Sequence, residues 1–204
     1  MAKARFSKSE AIRFGWNVTL KNLAFFVFVL IILGAIAFLP KVASFLGSFP
    51  LYLSSLAAQW VLSIIAAIGL TAIALKFAEK RKPKVQDLFL KSNLFFSYLI
   101  SSVLAGAIVF VGFLLLIIPG IIWSVRFQFY PYFIVEEGAG PIEALKKSWN
   151  LTQGTAWNLI LFSLMLAGIQ ILGVLALFVG LIFTTPTTWV ARAFVYKELK
   201  KSKS

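Results

Sequence analysis

Long apolar runs alternate with short polar gaps along the whole chain. The runs cover residues 23–39, 51–75, 94–118, 121–135, 157–179 and, less cleanly, 187–196. A helix needs about 20 apolar residues to cross a ~30 Å hydrocarbon core, and four of the runs are close to that length or longer. They are continuously apolar rather than alternating, which predicts helices and not the strands of a barrel. Residues 94–135 would measure ~63 Å as one helix at ~1.5 Å per residue. The chain must therefore turn back, and Pro119-Gly120 is where the pattern breaks. By the same logic Pro40-Lys41 ends the first run, Pro131 kinks the short fourth one, and residues 180–186 form the turn before the last. The expected architecture is all-α: a polytopic membrane protein with six transmembrane helices in three hairpins, forming one integral membrane domain over residues 1–204.

The gaps hold interfacial amphipathic helices, two or three in number. In residues 9–22, Ile12, Trp16, Leu20 and Leu23 recur at helical spacing, with Arg13, Asn17 and Lys21 on another side. Residues 143–155 repeat the pattern with Leu145, Trp149, Thr152 and Ala156. Trp16 and Trp149 are the expected interfacial anchors, since indole rings favour the membrane boundary. A shorter third helix is expected over residues 85–90.

Two matches predict an internal repeat. Residues 10–19 (EAIRFGWNVT) align with 143–152 (EALKKSWNLT), identical at five of ten positions. Trp123, Arg126 and Tyr130 align with Trp189, Arg192 and Tyr196. The implied unit is a surface helix followed by a hairpin, in copies at 9–79, 85–137 and 143–199. Each unit crosses twice, so the copies are parallel.

Composition narrows the chemistry. The 204 residues are 60% hydrophobic, and neither Cys nor His is present. That removes disulfides, thiolate nucleophiles, imidazole bases and most zinc sites. No catalytic dyad, metal cluster or nucleotide loop is found, so no enzyme, metal or cofactor is expected. The N-terminal stretch lacks the short apolar core and cleavage site of a signal peptide.

The net charge of +13 would suit nucleic acid, but its placement points to a membrane surface. Seventeen of the 20 Lys and Arg residues fall in gaps on one side of a six-span chain, and only Lys41 falls on the other. The positive-inside rule then puts both termini in the cytoplasm. Expected partners are membrane lipids, anionic ones first, with no nucleic acid; a second copy or another membrane protein is a further candidate.

Arg126 and Arg192 remain inside runs, and a charge there costs ~2.5–3.5 kcal/mol or more. No Asp or Glu lies in any run. The arginines must therefore be satisfied by carbonyls, by Gln59, Gln128 or Gln170, by water, or by a lipid phosphate. With Trp123, Trp189, Tyr130 and Tyr196 they are the candidate contacts for an anionic lipid or solute. The missing intramembrane acid also argues against proton-coupled transport.

Pro119-Gly120, the aromatic-rich run with Arg126, Glu143-Ala144-Leu145 with Ser148, Gly154 and Tyr196 form a further pattern. It resembles the YciC-like uncharacterised bacterial inner-membrane proteins and the related membrane domain of glycerophosphoryl diester phosphodiesterases. The likeness covers nearly the whole chain, most strongly residues 114–199. It implies a six-helix bacterial plasma-membrane protein, and without a soluble catalytic domain it carries no diesterase activity over. The expected function is non-enzymatic: a lipid-interacting or scaffolding protein of the inner membrane. The alternative is a small transporter, channel or scramblase-like protein, which a polar cavity lined jointly by Arg126, Gln128, Gln170 and Arg192 would favour.

Overall fold

A computed structural model describes residues 6–203 and is helical throughout, with no strand among them. Lys3 and Arg5, part of the basic N-terminal segment, lie outside the described residues. The elements are α1 (Lys8–Lys21), α2 (Leu23–Phe45), α3 (Phe49–Ala78), 3-10 turns at Val85–Leu88 and Ser92–Leu94, α4 (Phe95–Leu115), α5 (Ile117–Phe127), α6 (Tyr130–Glu137), α7 (Pro141–Thr152), α8 (Ala156–Leu175) and α9 (Leu181–Lys201). Four stretches are long and apolar enough to cross a membrane: α2, α3, residues 85–115 with α4 at their end, and α8. The other two expected spans fall short of that standard. The fourth is split into α5 and α6, of 11 and 8 residues. The sixth, α9, has 21 residues but carries four threonines, Arg192 and a basic last turn.

The prolines explain most differences in boundaries. The chain turns at Leu116, whose backbone is extended, so Pro119-Gly120 lies in the opening turns of α5 and is not the break. Proline is tolerated there because the first N–H groups of a helix have no intrahelical partner. Pro131 likewise opens α6 rather than kinking a continuous helix. Pro40 and Pro186 are carried inside α2 and α9, so the first apolar helix runs on to Phe45 and the last begins at Leu181. The third surface helix is only the turn Val85–Leu88.

α1 packs through a face that its apolar stripe does not mark. Ser7 accepts a hydrogen bond from the Glu10 N–H and caps its start. The face that packs is the small one, Ala11, Gly15 and Thr19, while Trp16 and Leu20 stay more than 40% exposed. α1 lies along α9 at close range: a Cβ on Gly15 would come within 2.4 Å of the Thr187 carbonyl oxygen. Small residues at such a crossing let two backbones approach and gain dispersion contact. Gly69 does the same for α3, where a Cβ would meet the Leu88 backbone.

The hairpins α2–α3, α4–α5 and α8–α9 each pack internally. α3 also contacts α4, α6 and α9. Each surface segment rests on a different hairpin: α1 on α9, Val85–Leu88 on α3, and α7 on α4, α5 and α6. The core sits toward one end, where the second half of α3, the middle of α6 (Tyr132 to Val135) and about half of α9 are buried. At the opposite end the hairpin turns are apolar and bare, with Phe45 92%, Leu116 69% and Leu177 85% exposed.

Candidate functional site

The buried end of the bundle carries a charge network that sequence reasoning missed. Glu79 follows α3, Glu136 and Glu137 close α6, Glu143 and Lys147 belong to α7, and Lys197 and Lys200 to α9. Lys197 reaches both Glu79 and Glu136. Lys200 reaches Glu136 at 2.8 Å and Glu137 at 2.5 Å. Lys147 ties Glu137 at 2.7 Å to Glu143 at 2.6 Å. Beside this network, Lys76 pairs with the buried Asp87 at 2.7 Å, and Lys91 donates to the Val135 carbonyl. The fully buried Tyr196 stacks on Tyr132 at 5.0 Å and donates to Glu136 at 2.5 Å. Burial pushes the Glu136 carboxyl up, but hydrogen bonds from Lys197, Lys200 and Tyr196 outweigh it and hold the group down at about 2. Glu79, Asp87, Glu137 and Glu143 are also held below the usual carboxylate range, and Lys147 is raised to about 12 by Glu137 and Glu143. The sequence did hold a signal: four of the seven acids, Glu79, Glu136, Glu137 and Glu198, lie within four residues of the end of an apolar run.

Ser148 secures the break between α5 and α6. Its hydroxyl donates to the Arg126 carbonyl at 2.7 Å and accepts from the Phe129 N–H at 3.1 Å. Those are orphan groups on the two sides of the interruption. Gly138, left-handed at φ 67, then ends α6 with its N–H on the Ile134 carbonyl.

The structure does not bring Arg126 and Arg192 together. Arg126 lays its guanidinium over the Trp149 ring at 4.2 Å, a cation–π contact, and its buried Nε has no hydrogen-bond partner among the described residues. Trp149 also packs on Phe127 at 5.5 Å and is half-buried, unlike Trp16. Arg192 instead lines a cavity of about 210 Å3 with Thr71, Tyr98, Gln128, Tyr132 and Trp189. Gln170 is elsewhere, donating to Thr188 at 3.1 Å and accepting from Thr184 at 3.0 Å. Trp123 presses on Gly112, and Tyr130 faces Tyr98 at 5.9 Å. No acid pairs with either arginine among the described residues.

Two apolar grooves flank the surface helices. The larger, about 560 Å3, lies between α4, α5 and α7, and the second, about 410 Å3, between α8, α9 and α1. No group of three or more metal-ligating side chains exists among the described residues.

These features define an all-helical protein with four helices long and apolar enough to cross a membrane, tied by ion pairs at one end. Residues 85–199, more than half of the chain, match the family described as "Domain of unknown function (DUF7847)", and the chain belongs to that family. It is also similar to the uncharacterized protein Rv2560 of Mycobacterium tuberculosis, 26% identical over 142 residues, which are 70% of this chain and 43% of the relative. The uncharacterized protein Mb2590 of Mycobacterium bovis matches with the same identity and coverage. The chain thus spans less than half the length of these curated relatives. No solved structure matches it.

Proposed function

We propose that the chain is a non-enzymatic integral protein of a bacterial inner membrane, lipid-interacting or scaffolding in role. It crosses six times as three hairpins, with both termini cytoplasmic. One observation carries this reading: Lys197 binds Glu79 at the end of α3 and Glu136 at the end of α6. Those two ends must therefore lie side by side. If α5 and α6 did not return across the bilayer, Glu136 would sit on the face opposite Glu79. Broken helices are tolerated at membrane depth when neighbouring side chains satisfy the freed backbone groups, and Ser148 does so here.

The three-unit repeat belongs to the same proposal. Its support is the packing order, in which each surface segment rests on another unit's hairpin, and the shared hydroxyl-to-carbonyl bonds Thr19 to Gly15 and Thr152 to Ser148, both 2.9 Å. The kinship with YciC-like proteins is also part of it and adds only the bacterial inner-membrane setting. Arg126 and Arg192 are the candidate contacts for anionic lipid. The transporter alternative gains nothing from the cavity beside Arg192, since Arg126 and Gln170 do not line it.

Melting of the purified protein in micelles tests the lipid role. Added phosphatidylglycerol should raise the melting temperature while phosphatidylcholine does not, and R126A/R192A should reduce the gain. Equal melting with either lipid would refute the reading.

A further inference from the structure

The two grooves are built from matching parts. Each lies between the two arms of one hairpin and beneath a surface helix, α4 and α5 under α7 and α8 and α9 under α1. The covering residues are Leu145 and Trp149 in the first and Ile12 and Trp16 in the second. These are the positions that the match of residues 10–19 with 143–152 aligns. The first groove's inner wall is Leu104, Ile108 and Phe127, all apolar. Leu104 lies nine residues along α4, so the wall begins ~14 Å beyond the helix start at 1.5 Å per residue. Polar groups are confined to the rim, where Lys146 and Asn150 stand exposed. Lys146 makes no ion pair among the described residues, whereas its neighbour Lys147 is held by two acids. Arg13 and Asn17 occupy the aligned positions on α1; they do not line the second groove but follow its covering Ile12 and Trp16 directly in sequence, both are exposed, and Arg13 has no ion pair among the described residues.

We infer that each groove is a binding site for one anionic glycerophospholipid of the surrounding bilayer. One acyl chain lies along the apolar wall beneath the tryptophan. The phosphate meets the cation and the carboxamide at the rim, Lys146 with Asn150 or Arg13 with Asn17. A groove of this size falls within the ~300–1,000 Å3 usual for small-molecule sites, apolar with a few placed polar groups. The cation without an acid supplies the charge complementarity that selects an anionic headgroup. Arg126, stacked on the Trp149 indole from α5, holds that ring in place as the roof. The inference rests on the membrane reading above.

Native mass spectrometry of the purified chain with dioleoyl phosphatidylglycerol or dioleoyl phosphatidylcholine tests it. The parent should retain a pair of phosphatidylglycerol molecules and shed phosphatidylcholine of the same chain length. Ile108→Trp fills the first groove and should remove one of the pair, and Ile169→Trp should remove the other. Lys146→Ala, an exposed change that leaves the fold alone, should weaken one site about fivefold. Phe28→Trp, exposed on α2 away from both grooves, should keep the pair. Retention of both lipids by Ile108→Trp and Lys146→Ala would overturn the grooves while leaving lipid association standing. Equal retention of the two lipids would overturn the headgroup assignment. No retention by the parent would overturn the lipid role itself.

Discussion

Glu136 at the end of α6 binds Lys197 and Lys200 of α9, and Lys197 carries the link on to Glu79 after α3, so its neutral isostere isolates what that charge contributes. A carboxyl ordinarily near 4.5 and held at about 2 in the folded protein corresponds to ~3 kcal/mol at neutral pH, at ~1.36 kcal/mol per pH unit. The side chain is 20% exposed, and solvent screens such contacts. Glu136→Gln also leaves Lys197 with Glu79, Lys200 with Glu137 and an oxygen for the Tyr196 hydroxyl. The expected loss is therefore about 1–2 kcal/mol, or ~2–8 °C in melting temperature for a chain of this size. The sign with pH follows from a depressed folded pKa. The contribution is fully present above the ordinary value near 4.5 and is lost as pH falls toward about 2. Melting in detergent, followed by circular dichroism, should show parent and variant far apart at neutral pH and converging as the buffer is taken below about pH 5. A variant that melts with the parent at neutral pH, or a gap that does not change on acidification, would refute the reasoning.

Two further substitutions test the packing. Gly15→Leu must push α1 away from the Thr187 carbonyl and should cost about 1–3 kcal/mol, whereas Gly168→Leu, with open space where its Cβ would stand, should melt with the parent. Equal effects would remove the close α1–α9 contact from the account. Ser148→Ala leaves the buried Phe129 N–H without its acceptor and the Arg126 carbonyl with only the longer Thr152 hydroxyl bond at 3.3 Å, and should lower stability by about 1–3 kcal/mol on the same assay. An unchanged melting temperature would show that the break between α5 and α6 does not depend on that hydroxyl.

The helical class and the long apolar elements were legible because continuous apolar runs of membrane-crossing length have few other solutions. The boundaries were less so, and proline is the reason. Pro40 and Pro186 are absorbed within helices, Pro119 and Pro131 stand near helix starts, and the real turn is the extended Leu116, which no residue type announces. The large stripe Ile12, Trp16 and Leu20 was legible by hydrophobicity, whereas Ala11, Gly15 and Thr19, the face through which α1 packs, carry no such mark. Close backbone approach favours the small residues. Arg126 and Trp149 were each visible as unusual, but they are distant in sequence, and only the fold sets one over the other. The same holds for Glu79, Glu136 and Lys197, whose meeting is a tertiary fact with no local signature.

The chain has no cysteine, so single-cysteine variants give clean topology readings. Six crossings put Lys82 and Gly140 on one face of the membrane and Ser48 on the other, whereas crossing only by the four long apolar stretches puts Gly140 opposite Lys82. Ser48 and Lys82 are exposed, and a Cβ at Gly140 meets nothing within 4 Å. In intact cells treated with an impermeant maleimide, Ser48→Cys should be labelled, and both Lys82→Cys and Gly140→Cys should react only after the membrane is permeabilised. Labelling of Gly140→Cys in intact cells, with Lys82→Cys protected, would contradict the six-crossing bundle.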